Sequence, residues 1–133
     1  MDEKKELPAV LCADHFYMSD ESVRKIESVG RRLWADCKNE HELAERVRDS
    51  KANVIVSEYV EVTGRVMDAS ANLKGVVVWG VGYDHIDIEA ASERGIYVAN
   101  TSSSNAQSAA EHVFAFLLCF SRHMLEADTF VRT

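Results

Sequence analysis

A chain of 133 residues has the size of one domain and is long enough to bury a substantial core. Its apolar fraction of 47%, its single proline and its net charge of −7, with acids and bases intermingled, describe a compact fold. They leave no basic stripe that could hold a nucleic-acid backbone, so no nucleic-acid partner is expected. Met1 to Glu6 is charged rather than apolar, so no signal peptide is expected. The longest apolar run, Val113 to Phe120, falls far short of the roughly 20 residues that cross a bilayer, so no membrane span is expected either. Cys12, Cys37 and Cys119 form an odd set among apolar neighbours, the pattern of reduced thiols in a cytoplasmic protein.

In chain order, Ala9 to Asp14 reads as a buried strand that ends in a carboxylate. A helix follows, with Ser19 as N-cap, Val23, Ile26 and Val29 on its inner face and Gly30 as its stop. Arg31 to Ala35 is a weaker second strand. Asn39 and Glu42 form a capping-box-like pair that opens a second helix, whose inner face is Leu43, Ala44 and Val47. Asn53 to Ser57 is a third strand, and a short helix over Thr63 to Ala69 turns Val66 and Met67 inward.

The chain is organised around Gly75 to Asp87. Val76 to Trp79 is apolar without alternation, which predicts a strand covered on both faces. Gly80 and Gly82 can adopt positive φ and lack a Cβ, so a ligand can approach the backbone there. Asp87 fits an N-cap, Gly95 a C′ residue, and Ile86 with Ala91 a hydrophobic staple. Gly95 to Asn100 is the fifth strand. Strands alternating with short helices define an α/β fold: a flavodoxin-like parallel sheet, order 2-1-3-4-5, flanked by helices. The loop after strand four then lies at the carboxyl edge, where open α/β sheets take ligands.

The last element differs. Ser108 with Glu111, or Ser104 with Gln107, offers a capping box in front of a run that is wholly apolar from Val113 to Phe120. A long apolar helix over 106–127 is predicted, hydrophobic all round and in need of cover on more than one side.

Several short motifs are similar to one known family. Asn72-Leu73-Lys74 through Gly82-Tyr83-Asp84-His85-Ile86-Asp87, then Ala90-Ala91, Arg94-Gly95-Ile96, Val98 and Asn100, resemble the D-2-hydroxyacid dehydrogenases. Ser108-Ala109-Ala110-Glu111-His112 and the apolar helix ending in Arg122 continue the resemblance, which runs from Val54 to Arg122. It implies a substrate-binding domain over 1–104 and an interdomain helix over 105–133 that leads to an NAD(P)-binding domain. It implies hydride transfer, in the complete enzyme, between NAD or NADP and the C2 carbon of a small 2-hydroxy or 2-oxo acid. The Gly80-Val81-Gly82 loop would bind the substrate carboxylate through the N–H groups of Val81 and Gly82. Ser57, Glu58 and Tyr59 would form a second wall, where Glu58 is an unusual neighbour for an anion. It would point away or meet a hydroxyl of a longer substrate. Val81 and Ala109 are the positions implied to border the cofactor. The family's catalytic histidine, paired carboxylate, orienting arginine and dinucleotide fingerprint would all follow Thr133. No catalytic residue, bound cofactor or metal is therefore expected in this chain, and a homodimer through the 106–127 helix is the expected assembly.

The residues themselves limit other readings. Gly80-Val81-Gly82 lacks a third glycine, whose place is taken by His85, and no Gly-x-x-x-x-Gly-Lys motif occurs. On spacing alone the loop is a tight turn. His85 and His112 match structural positions of the family and are not expected as acid or base. Asp14 resembles a phospho-receiver carboxylate, but the places that would need an acceptor aspartate, a hydroxyl and a lysine hold Ser57-Glu58, Gly80 and Asn100. The alternatives are a stand-alone small-anion binding module and a dimerising interaction domain. The all-apolar last helix argues against the first of these.

Overall fold

A computed structural model describes residues 7–133; Met1 to Glu6, whose charge argued against a signal peptide, lies outside the described residues. The chain divides into two compact units between Thr101 and Ser102. In the first, strands β1 (Ala9–Cys12), β2 (Arg31–Trp34), β3 (Val54–Ser57), β4 (Gly75–Val78) and β5 (Tyr97–Ala99) form one parallel sheet. Their order is β2-β1-β3-β4-β5, the flavodoxin-like arrangement. The connecting helices are α1 (Asp20–Val29), α2 (Glu40–Ser50), α3 (Gly64–Asp68) and α4 (Ile88–Glu93). Register places Ser57 beside Val78, so the loops that follow β3 and β4 leave the same sheet edge. Those loops are stitched together by a bridge between Val62 and Ile86, with Val62 N donating to the His85 carbonyl at 2.9 Å and Asp87 N to the Val62 carbonyl at 3.0 Å.

The larger core lies on the face of the sheet covered by α2, α3 and α4. Leu11, Ile55, Val76 and Val78 meet Leu43, Val47, Val66, Met67 and Ala91 there. The opposite face is thinner: Val10, Cys12, Val56 and Phe16 are buried, while Val77, Trp79, Met18 and Ile26 are only partly so. β4 therefore alternates buried Val76 and Val78 with half-buried Val77, and the two-sided cover expected of it is met on one face. Helix α1 buries no residue; Val29, expected on its inner face, is 66% exposed.

The helix ends follow local chemistry. The Ser19 side chain accepts from Ser22 N at 3.2 Å, and Asn39 Oδ1 from Glu42 N at 3.0 Å, while Glu42 accepts from Lys38 N rather than from Asn39 N. Asp87 Oδ1 accepts from Ala90 N at 2.9 Å, and the staple residues Ile86 and Ala91 are both buried. Gly95 has φ +62°; its N–H reaches the Ser92 carbonyl and Ile96 N the Ala91 carbonyl, the paired closure of a left-handed C′ residue. Gly30 is a glycine for another reason. Its φ of −158° is extended, but a Cβ would lie 2.8 Å from both the Pro8 carbonyl oxygen and Val10 Cγ2, so the turn into β2 requires close approach rather than a left-handed backbone.

The second unit holds α5 (Ala106–Ser121) and α6 (Met124–Arg132). The single helix expected over 106–127 is interrupted. Ser121 Oγ donates back to the Leu118 carbonyl in competition with the backbone ladder, and His123 takes φ 52°, which ends one helix and starts the next. The capping boxes also differ. The helix begins at Ala106 after Asn105, so Ser108 lies within its first turn and the Gln107 amide donates to Glu111 at 2.8 Å instead. Neither helix buries a residue. Among the described residues no helix is long and apolar enough to cross a membrane.

Candidate functional site

Two loops at the carboxyl edge of the sheet carry the residues singled out from sequence. The first, after β3, is built on Asp14. This carboxylate is 6% exposed and faces the end of β3 across the β1–β3 pair. Its Oδ2 accepts from Glu58 N at 2.7 Å and from Ser57 Oγ at 3.0 Å, and its Oδ1 accepts from Val60 N at 2.9 Å. A buried carboxylate is tolerated where donors surround it, and here two of the three come from backbone that has just left the ladder. Ser57 is fully buried, with its hydroxyl between Asp14 and the Val60 carbonyl. Of the three expected wall residues, Ser57 thus supports the loop from beneath. Glu58 is half-buried and Tyr59 is exposed. Hydrogen bonding to the adjacent Glu58 carboxylate, and then its charge, raises the Tyr59 phenol above its ordinary value, so that hydroxyl keeps its proton into more alkaline solution.

The second loop is Gly80 to His85. Thr101 N donates to the Gly80 carbonyl at 2.9 Å, and Asn100 Nδ2 donates to the Val81 carbonyl at 2.7 Å. In a trans peptide the C=O and N–H of one unit point in opposite directions. Tying these two carbonyls to the end of β5 therefore turns the N–H groups of Val81 and Gly82 away from it. Among the described residues neither N–H donates to another protein group. Both residues are exposed. Neither Gly80 nor Gly82 adopts positive φ, so the conformational freedom expected of them is not used. A Cβ at Gly80 would meet nothing within 4 Å, and at Gly82 only Asp84 Oδ2 at 3.7 Å.

The remaining candidates are placed as follows. His85 Nε2 is buried without a partner among the described residues, and His112 packs edge-on against Phe116 at 4.4 Å. Burial first, and the Glu42 charge second, pushes the Cys37 thiol up to about 11, which keeps it protonated and unreactive. Cys12 is also buried, and all three cysteines are free. Among the described residues no group of three or more His, Cys, Asp or Glu side chains could hold a metal. Ala109 is exposed on α5, in the second unit. A cavity of about 660 Å³ opens beside Asp14, Tyr59 and Val60 and the start of α2 at Lys38, Asn39 and His41. The Gly80–Gly82 loop does not line it.

This is an α/β domain that presents free backbone donors at the carboxyl edge of a parallel sheet, an arrangement able to accept an anionic oxygen. The chain belongs to the D-isomer specific 2-hydroxyacid dehydrogenase family, matching its catalytic domain over residues 10–128. It is 37% identical to the D-3-phosphoglycerate dehydrogenase of Mycobacterium leprae over 127 residues, covering 96% of this chain and 24% of that protein. It is 41% identical to the glyoxylate reductase of Pyrococcus furiosus over 92 residues, covering 68% of this chain and 27% of that one. Among solved structures it resembles an acyclic imino acid reductase (Bsp5) in complex with NADPH and D-Arg, with TM-score 0.75 and 26% identity over 92% of this chain and 40% of that one. The chain thus spans about a quarter of the length of the curated relatives it matches.

Two residues that hold these loops, Asp14 and Asn100, were not singled out as site residues from the sequence. The signal at each was a polar residue just past a strand end, with Asn100 also belonging to the family motif. Replacing Asp14 by alanine is expected to leave the Glu58 and Val60 amides without their acceptor. Each buried donor left unpaired costs about 1–3 kcal/mol, so urea unfolding should show a loss of about 2–6 kcal/mol. The Glu58 and Val60 amides should exchange with solvent far faster than those of Ile55 and Val76. Unchanged stability and exchange would show that Asp14 does not hold this loop.

Proposed function

We propose that this chain is the substrate-binding portion of an NAD(P)-dependent D-2-hydroxyacid dehydrogenase, and that the N–H groups of Val81 and Gly82 anchor the carboxylate of a 2-hydroxy or 2-oxo acid. The observation that carries this reading is the pair of adjacent peptides whose carbonyls are tied to β5 while their donors are free. The glycines support it. Neither backbone conformation nor packing within the chain requires a glycine at 80 or 82, whereas a ligand brought against the backbone does. Backbone donors suit a carboxylate because they supply fixed positive dipoles without a proton to lose. Glu58 and Tyr59 then form the second wall, with the Tyr59 hydroxyl engaged by the Glu58 carboxylate and Glu58 disfavouring a second anion beside it.

The residues present do not fit a dinucleotide. The Gly80–Gly82 loop leads into α4, six residues long and capped by the Asp87 carboxylate, which would repel a pyrophosphate where helix donors are needed to bind it. In this reading NAD or NADP supplies the hydride chemistry in the complete enzyme and is held by a further domain, with Val81 and Ala109 bordering it. This chain contributes carboxylate anchoring and one side of the cleft.

The apolar residues of the second unit support a homodimer as the assembly. Phe116, Phe120, Leu125 and Phe130 are 63%, 88%, 77% and 82% exposed. Covering each would gain about 1.5–3 kcal/mol, and a twofold contact lets one patch cover its own copy.

Each part has its own measurement. Titrating glyoxylate into the chain should shift the Val81 and Gly82 amides first. Two charged hydrogen bonds of about 1.5–3 kcal/mol each, less the entropy of association, allow only millimolar affinity. Shifts confined to other residues would remove the assigned anchor, and oxidation of NADH with glyoxylate by this chain alone would contradict the division of labour. Sedimentation velocity at about 100 μM, where mass action favours association, should show a dimer that replacing Phe116 and Phe120 by serine converts to monomer. A monomer for the unmodified chain would rule out self-association.

A further inference from the structure

Asn100 is a half-buried residue one position beyond β5. Its side chain spans 19 residues of sequence to reach a single peptide of the β4 loop. The group facing the Val81 carbonyl must be the NH2 of the amide, since a carbonyl oxygen only accepts. The contact is short, at 2.7 Å. Thr101, the next residue, uses its backbone N–H on the Gly80 carbonyl at 2.9 Å. The end of β5 thus grips two consecutive peptides, one through main chain, which any residue but proline supplies, and one through a side chain that sequence can change.

We propose that Asn100 is the positioning residue of the carboxylate anchor: by donating to the Val81 carbonyl it fixes and polarises the Val81–Gly82 peptide, so that the Gly82 N–H is presented to the substrate anion. The inference rests on the carboxylate-anchor reading above and adds to it the group that sets the donor's direction and strength. Two physical effects act together. The carbonyl and N–H of one planar unit cannot turn independently, so holding the oxygen aims the hydrogen. A hydrogen bond accepted at the carbonyl also polarises the amide and strengthens its donation. Glycine on both sides of Val81 leaves the loop otherwise free to rotate that peptide, which makes an external restraint necessary. Asn100 itself need not touch the ligand.

The test follows amide chemical shifts and order parameters of the full 133-residue chain during titration with glyoxylate. In the unmodified chain the Val81 and Gly82 amides respond. Asn100→Ala should weaken binding by about 3- to 10-fold, the worth of one net hydrogen bond, and lower the Gly82 order parameter in the free protein. Strand amides should be unchanged. Asn100→Asp keeps the shape of the side chain but cannot donate when ionised, and should lose at least as much. Equal affinity for the unmodified chain and Asn100→Ala would overturn the role of Asn100 while leaving the carboxylate anchor intact. Absence of any response at Val81 and Gly82 in the unmodified chain would overturn the anchor and, with it, this role. Should Asn100→Ala lose its dispersed spectrum, the isosteric Asn100→Asp decides, and retained affinity there overturns the proposal.

Discussion

The carboxylate of Asp14 turns the ends of β1 and β3 into a defined rim. Where β3 stops, its chain leaves the ladder and the N–H groups of Glu58 and Val60 lose their sheet partners; Asp14 accepts from both, and from Ser57. The exchange is mutual, since a buried carboxylate and buried amides would each be costly alone. The restraint then travels along the backbone. Val62, two residues past the last amide bound to Asp14, bridges to Ile86, and its carbonyl receives the N–H of Asp87. Asp87 in turn caps α4. The far end of the Gly80 loop is thereby anchored to the same framework as the β3 loop, while Asn100 and Thr101 anchor its near end from β5.

Between these two anchors lies a short segment of backbone with free donors. Its surroundings decide what it can hold. Asp87 accepts from Ala90 N at the start of α4 and places a negative charge there, which disfavours a phosphate chain at that helix end. In the proposed reading, one carboxylate would need only the two outward N–H groups of Val81 and Gly82. The open carboxyl edge and the thin cover over β4 on the α1 side are features of a domain that presents a surface. The exposed phenylalanines of α5 and α6 have the same character.

Much of this fold was legible in the sequence because the signals are local. Runs of β-branched residues marked β3 and β4, and Asn39, Ser19, Asp87 and Gly95 marked helix ends through bonds spanning only a few residues. The strand order followed from strands alternating with short crossovers. What escaped depends on distance or on space. The Asp14 bonds to Glu58 and Val60 span 44 and 46 residues, and no local pattern announces them. Ser57 looked available as a wall residue, yet the same long-range bonding buries its hydroxyl. Gly30 ends α1 as expected, but the reason it is glycine, the close approach to Pro8 and Val10, is set by space. The break at His123 was hidden because Val113 to Phe120 is apolar without interruption and contains neither proline nor glycine. The family motifs included both the Gly80–Gly82 loop and Asn100, but nothing in them joined the two, since the Asn100 bond to the Val81 carbonyl spans 19 residues.

The most direct test of the carboxylate anchor is a crystal structure of the chain with oxalate, a planar dianion that mimics the carboxylate end of a 2-oxo acid. The expected result is one carboxylate within about 3 Å of both Val81 N and Gly82 N, with the Asn100 amide still on the Val81 carbonyl. Oxalate bound elsewhere, or a Val81–Gly82 peptide rotated so that its carbonyl faces the anion, would contradict it.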